Sequence, residues 1–272
     1  MTSSNNAVTY LGYTGTLVKT MRHLLVFTVL SLVLNGCSLF KGPEDNPEKW
    51  SASKFYEEGQ KALKSEDYKL AVERFEGLIS HHPFGPYAQQ AQLEIAYAYY
   101  KYDEADSSIA AADQFIKLYP RHPHVDYAYY IKGLARFPKR DFLEGEFSLD
   151  MAQRDPQALR ESFQFFSDLT QRFPDSVYAA DARQRMIFLR NVLARNEMYA
   201  AEFYMQKGAY AAAANRAKYV IEHYDQTPSI PAALSLMAKA YDKLGMPQLA
   251  EDARQVLQLN FPNRDHNKSA SH

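Results

Sequence analysis

Prolines and small residues return along this chain at a fixed interval, and that period constrains the fold more than any other feature. Pro83 and Pro120 lie 37 residues apart, and Asp225 stands 37 before Pro262, so the same step recurs at both ends of the body. Pro120 to Pro174 is 54, which is 37 lengthened by about seventeen. The extra residues fall between Gly133 and Ser162, with 137–156 as their location. Pro174 to Asp225 is 51, consistent with a longer helix pair over 176–196 and 197–207. Inside each period apolar residues recur at three and four spacing, and prolines stand where helices should end. A unit of this length cannot bury its apolar face alone and must stack on its neighbours.

Phe55, Gly59, Ala71, Phe75 and Pro83 take the spacings of a tetratricopeptide unit, in which small residues on both helices let the pair pack closely. A second unit runs through Ala96, Tyr99, Ala112 and Pro120, and the last through Leu234, Ala238, Tyr241, Ala250 and Pro262. The expected fold is therefore all-α, a tetratricopeptide-repeat superhelix of about five helix-turn-helix repeats without strands. Its inner face should come mainly from the first helix of each pair. The expected organisation is an N-terminal half over 54–174, a C-terminal half over 175–262, and a polar tail over 263–272 that frays. The long fourth repeat should act as a stiff junction between the halves.

The front of the chain has a different character. Met21-Arg22-His23 and then Leu24 to Leu34 form a short basic region and an apolar run of about ten residues, the layout of a secretory signal over 21–36 and too short to span a bilayer. It ends in Leu34-Asn35-Gly36-Cys37, similar to the lipobox at which bacterial lipoproteins are cleaved and acylated. Cys37 is the single cysteine, so it is expected to carry diacylglycerol and an N-acyl chain, and no disulfide can form. Ser38 in place of aspartate favours the outer-membrane class, and two or three acyl chains anchor firmly at about 0.8 kcal/mol per buried methylene. Residues 1–20 fit neither signal nor fold and are read as an extension before a start at Met21, and 37–53, with Gly42, Pro43 and Pro47, is read as a lipidated tether.

From Cys37 onward the formal charge is -3, because 29 Lys and Arg face 32 Asp and Glu once Lys19 and Arg22 are set aside. That leaves no electrostatic footprint for nucleic acid. No phosphate-binding loop, nucleophile elbow, zincin motif or cysteine pair occurs, so no catalytic residue and no metal site is expected. His81-His82 and His122-x-His124 stand beside prolines and are read as turn and capping residues, and Asp103, Glu104 and Asp106 as a solvated helix end. The 20 tyrosines against one tryptophan suit a surface that grips extended peptides, although helix packing accounts for most of them. The densest segment joins the first two repeats: Pro83-Phe84-Gly85-Pro86-Tyr87, then Gln89, Gln90 and Gln92, then Tyr97, Tyr99 and Tyr100. Tyr97 and Tyr100 can share one buried face, whereas Tyr99 and Gln92 cannot lie on it as well. Packing and ligand binding both remain open for this set.

His82-Pro83-Phe84-Gly85-Pro86-Tyr87-Ala88-Gln89-Gln90 and Tyr97-Ala98-Tyr99-Tyr100-Lys101 closely resemble the BamD/ComL family of outer-membrane lipoproteins. His122-Pro123, Asp126-Tyr127, Arg154-Asp155-Pro156-Gln157 and Ala213-Ala214-Asn215-Arg216 extend the resemblance over nearly the whole body. It implies a non-catalytic subunit of the β-barrel assembly machinery at the periplasmic face of the outer membrane. The N-terminal repeats would receive the terminal strand of nascent outer-membrane proteins, and the C-terminal repeats would hold the POTRA region of a BamA-like insertase. A BamC-like lipoprotein would be a further partner. Tyr87, Gln92, Tyr97 and Tyr99 are the candidate substrate groove, where an extended aromatic strand meets rings and hydroxyls. Arg216 lies in an alanine-rich helix and either pairs with an insertase carboxylate or bridges internally to a residue such as Glu202. The segment holding Lys139-Arg140-Asp141 and Glu144-x-Glu146 departs from the family pattern. The rival reading is a periplasmic envelope protein acting in peptidoglycan maintenance or DNA uptake.

Overall fold

The computed structural model describes residues 46–138 and 156–262. The signal, Cys37, the 1–20 extension, most of the insertion and the 263–272 tail lie outside the described residues. The chain divides into a unit over Met1–Ser51 and one over Ala52–His272. In the first, Asn46 caps a short turn at Pro47–Lys49 by accepting from the Glu48 amide at 3.1 Å.

The second unit holds ten α-helices among the described residues: α1 (Ala52–Lys64), α2 (Tyr68–His81), α3 (Pro86–Lys101), α4 (Ala105–Leu118), α5 (Val125–Ala135), α6 (Pro156–Arg172), α7 (Ala179–Gln206), α8 (Tyr210–His223), α9 (Ile230–Lys243) and α10 (Pro247–Asn260). No described residue is in a strand, and no described helix is long and apolar enough to cross a membrane. Each helix packs on the next, making five pairs. Among first helices of successive repeats, α1 also meets α3, α3 meets α5 and α7 meets α9. The stack is therefore tighter along its first-helix side.

Glycine sets the spacing within repeats. A Cβ on Gly59 would stand 2.5 Å from the Phe75 ring, and one on Gly133 would collide with Phe166. Each phenylalanine is fully buried in the notch so made. The second and third repeats share a further lock: the Ser108 hydroxyl donates to the Ala96 carbonyl, 12 residues back, and the Ser162 hydroxyl to the Gly133 carbonyl, 29 back, both at 2.9 Å. The same bond separated by seventeen more residues locates the insertion between α5 and α6, as the proline spacing predicts.

The fourth repeat differs from its expectation. In place of a pair over 176–196 and 197–207, Ala179–Gln206 is one helix of 28 residues. Nothing in it interrupts the backbone ladder, since it has neither glycine nor proline. It ends at Gly208, where φ is +74, and α8 is its true partner. One apolar cluster runs from Leu134 and Phe166 through Leu193 and Ala217 to Leu234 and Ala240, crossing position 174 without a break.

Candidate functional site

The first-helix side of the N-terminal repeats carries a chain of tyrosines and acids. Gly85, with φ +100, turns the backbone so that Pro86 can open α3, which sets the Tyr87 ring 5.5 Å from that of Tyr56 on α1. The Tyr56 hydroxyl donates to Glu94 Oε1 at 3.3 Å, and Gln60 Nε2 donates to the same oxygen at 2.9 Å. Burial holds the Glu94 carboxyl above its ordinary range, against the pull of these two donors. Tyr56 is pushed up by burial and by the neighbouring carboxylate. A cavity of about 360 Å³ opens here, lined by Pro86, Gln89, Gln90, Glu94, His124 and Tyr127 among others.

Further along this side Tyr97 meets Tyr100 at 6.3 Å, Tyr127 meets Tyr178 at 5.1 Å, and Tyr130 stacks on Tyr178 at 4.8 Å. The Tyr130 hydroxyl donates to Asp181 Oδ2 at 2.6 Å, and burial together with that bond pushes the phenol up to about 12. Arg185 closes the series on the same Asp181 carboxylate. Tyr56 and Tyr130 are 74 residues apart, two repeat steps, and each gives its hydroxyl to an acid on the following first helix. That doubled spacing was the available sequence signal for Tyr56, Glu94, Tyr130 and Asp181, none of which motif reading selects.

The four groove candidates do not share one groove. Tyr87 and Tyr97 lie with the tyrosine chain, Tyr87 being 41% exposed. Gln92 and Tyr99 point to the opposite side of α3, into a separate groove between α2 and α4, where Tyr99 faces Glu76. The helical turn dictates the split, because positions 92 and 99 fall about half a turn from 94 and 97 at 3.6 residues per turn.

Arg216 has an internal partner, and it is Glu197 rather than Glu202. Its Nη1 lies 2.8 Å from Glu197 Oε2, while Arg160 approaches the other oxygen at 3.4 Å. The buried carboxylate raises the Arg216 guanidinium, yet that side chain is 47% exposed and borders a cavity of about 370 Å³ with Tyr204, Ala212, Asn215 and Tyr219. A second carboxylate can therefore reach it without breaking the first pair.

The histidines work as turn residues. His81 Nδ1 lies 2.9 Å from the Gly77 carbonyl, His82 ends α2, and His122 Nδ1 accepts from the His124 amide at 3.1 Å. No cluster of potential metal ligands occurs among the described residues. Asp103, Glu104 and Asp106 lie exposed at the start of α4, as a solvated helix end requires.

The fold defines an all-α helical-repeat scaffold. The family model for outer membrane lipoproteins called YfiO matches residues 48–257. The outer membrane protein assembly factor BamD of Neisseria meningitidis (serogroup A) is 45% identical over 89% of this chain and 92% of its own length. The protein of that name from Vibrio cholerae is 36% identical over 88% of this chain and 99% of its own, and that from Haemophilus influenzae 31% over 89% and 92%. Among solved structures, a tetratricopeptide-repeat protein of Thermus thermophilus covers 80% of this chain and 96% of its own at 14% identity and a TM-score of 0.36. The chain belongs to the YfiO family of outer membrane lipoproteins, together with the BamD assembly factors. Those names describe an assembly factor and not an enzyme, in keeping with the absence of catalytic motifs from the sequence.

Proposed function

We propose that this chain is a lipid-anchored scaffold of the outer-membrane β-barrel assembly machinery, held at the periplasmic face through acylated Cys37. The observation that carries the reading is 45% identity to an outer membrane protein assembly factor across 92% of that relative. The first-helix face from Tyr87 to Tyr130 receives the extended, aromatic terminal strand of a nascent barrel. Rings 4.8–6.3 Å apart offer stacking, and the hydroxyls offer polar partners. Glu94 lies in the middle of this face, so the terminal carboxylate of the strand is directed away from it, toward the Arg185 end.

At the C-terminal repeats Arg216 takes a carboxylate from the POTRA region of a BamA-like insertase while keeping its bond to Glu197. A BamC-like lipoprotein is a further partner of the same body. The test is affinity purification from detergent-solubilised outer membranes, comparing wild type with Arg216→Glu and Arg216→Ala and identifying the companions by mass spectrometry. Wild type should retrieve a large POTRA-bearing barrel protein, both variants should lose it, and their melting temperatures should show that they remain folded. Retrieval by folded variants as strongly as by wild type sinks the Arg216 contact. If wild type retrieves peptidoglycan enzymes or uptake proteins in place of a barrel protein, the assembly role falls and the envelope-maintenance reading replaces it.

A further inference from the structure

The loops that join successive repeats lie at one edge of the stack, where second helices end and first helices begin. The start of α1 belongs to the same edge, because Phe55 in its first turn stacks on His81 at 5.4 Å and meets His82 at 6.2 Å. An acyl anchor at Cys37 is therefore joined to the body here, through residues 38–51, which reach no farther than about 50 Å at roughly 3.3–3.6 Å each. Two cavities make the edge continuous. The one bounded by Pro86 and His124 links the first loop to the second, and a cleft of about 440 Å³ lined by Arg121, Pro123, Phe173 and Asp175 links the second to the third.

This edge differs from the opposite one in polarity and in charge. The two most exposed large apolar side chains among the described residues, Phe84 at 90% and Val177 at 84%, both stand in its loops. Pro83 and Pro86 flank Phe84 and stiffen the turn that holds the ring out. Lys117, Arg121 and Arg172 are exposed beside these loops. Acids nearby are engaged within the fold, Asp126 by the Ser176 hydroxyl at 2.6 Å and Asp181 by Tyr130 and Arg185, which leaves Asp175 exposed. At the opposite edge, the turns within the first two repeats expose Glu66, Asp67, Asp103, Glu104 and Asp106 against Lys64, Lys101 and Arg136.

A lipid surface takes apolar side chains at its acyl boundary and cations at its phosphates, and an anionic leaflet repels an acidic edge. We propose that the loop edge from Phe84 to Val177 is a membrane-contact surface. Both side chains enter the leaflet that holds the anchor, and Lys117, Arg121 and Arg172 meet its phosphates. The proposal rests on acylation of Cys37. A body so placed has the helices of these repeats upright on the leaflet, so the tyrosine face stays open to the side for a nascent strand.

The test uses the full acylated chain reconstituted on vesicles of phosphatidylethanolamine and phosphatidylglycerol. A nitroxide is attached singly through Phe84→Cys, through Val177→Cys or, at the acidic edge, through Tyr102→Cys, since an acylated Cys37 offers the label no thiol. The ratio of oxygen to nickel-chelate collisions in saturation measurements should be at least threefold higher at 84 and 177 than at 102. With the label at 177, Phe84→Ser should lower its ratio at least twofold, as should Arg121→Glu combined with Arg172→Glu, while melting temperatures hold. Vesicle-bound chain with water-like ratios at 84 and 177 overturns the membrane edge and leaves the anchor standing. Labels at both positions shielded from oxygen and nickel alike would mark a contact between copies of the chain and overturn it too. Chain that does not float with the vesicles overturns the anchor, and this proposal with it.

Discussion

The two sides of α3 handle polar groups in opposite ways. On the side of Tyr87, Glu94 and Tyr97, a partly buried carboxylate is met by a hydroxyl and an amide at 3.3 and 2.9 Å. On the side of Gln92 and Tyr99, the carboxamide lines an open groove of about 480 Å³ and is not among the buried polar atoms left without a partner. Both sides belong to one helix and one repeat, so the contrast comes from the neighbours. The first helices α1 and α3 close on each other and complete a hydrogen-bonded network around Glu94, whereas the other side of α3 borders an open groove. A completed network rigidifies a surface, whereas polar groups in an open groove are left to water.

The largest effect should come from removing the frame that both sides share. Phe75 fills the notch at Gly59 and lies 5.8 Å from Tyr56. Phe75→Ala should cost about 3–5 kcal/mol in urea unfolding, and substrate binding at the tyrosine face should fall with it. Full stability in this variant would show that the Gly59 notch does not frame α3. Gly59→Ala, which pushes a methyl against the same ring, should cost about 1–3 kcal/mol in the same measurement.

The next substitutions should separate the two sides by the size of their effect. Tyr56→Phe takes a donor from a partly buried carboxylate and should destabilise by about 1–3 kcal/mol. Gln92→Leu should instead stay within about 1 kcal/mol of wild type, because no hydrogen bond within the protein is lost from the open groove. If both destabilise equally, the carboxamide has a structural partner and the contrast fails.

The smallest effect is a pH dependence. Burial raises Glu94 above its value in the unfolded chain, so the folded state binds that proton more tightly. Its contribution is fully favourable below the unfolded value, near 4.5, and is lost as pH climbs through the higher folded value. Glu94→Gln should flatten that part of the profile in melts recorded from pH 4 upward. An unchanged profile in Glu94→Gln would show that the carboxyl is well solvated.

Much of this architecture was legible in the sequence because it depends on local rules. The prolines and the small residues Gly59, Ala96 and Gly133 stand one repeat apart, and the added seventeen residues show in the same spacing that Ser162 and Gly133 confirm by their bond. The fourth repeat misled because a 51-residue step was divided into two helices, although nothing in 179–206 stops a helix. The site was harder to read. The division of Gln92 and Tyr99 from Tyr97 follows from helical periodicity, but that the two sides border separate grooves emerges only from how α2 and α4 flank α3. Glu94 and Asp181 escaped because an acid becomes part of a site only through the tyrosine that stacking brings to it, and pairs 38 and 51 residues apart are set by tertiary packing. An internal bridge was one of two readings of Arg216, with Glu202 as its example, and that the partner is Glu197 depends on how α7 and α8 align.

The most direct test of the assembly role is the folded state of porins in the host after this chain is depleted, followed by the shift of porin between folded and heat-unfolded mobility in gels. Assembly function predicts that unfolded porin accumulates and folded trimers fall before any change in peptidoglycan or DNA uptake, and that wild type restores them while a Cys37→Ala form does not. Porins that keep folding at the normal rate while glycan or uptake defects emerge would contradict it.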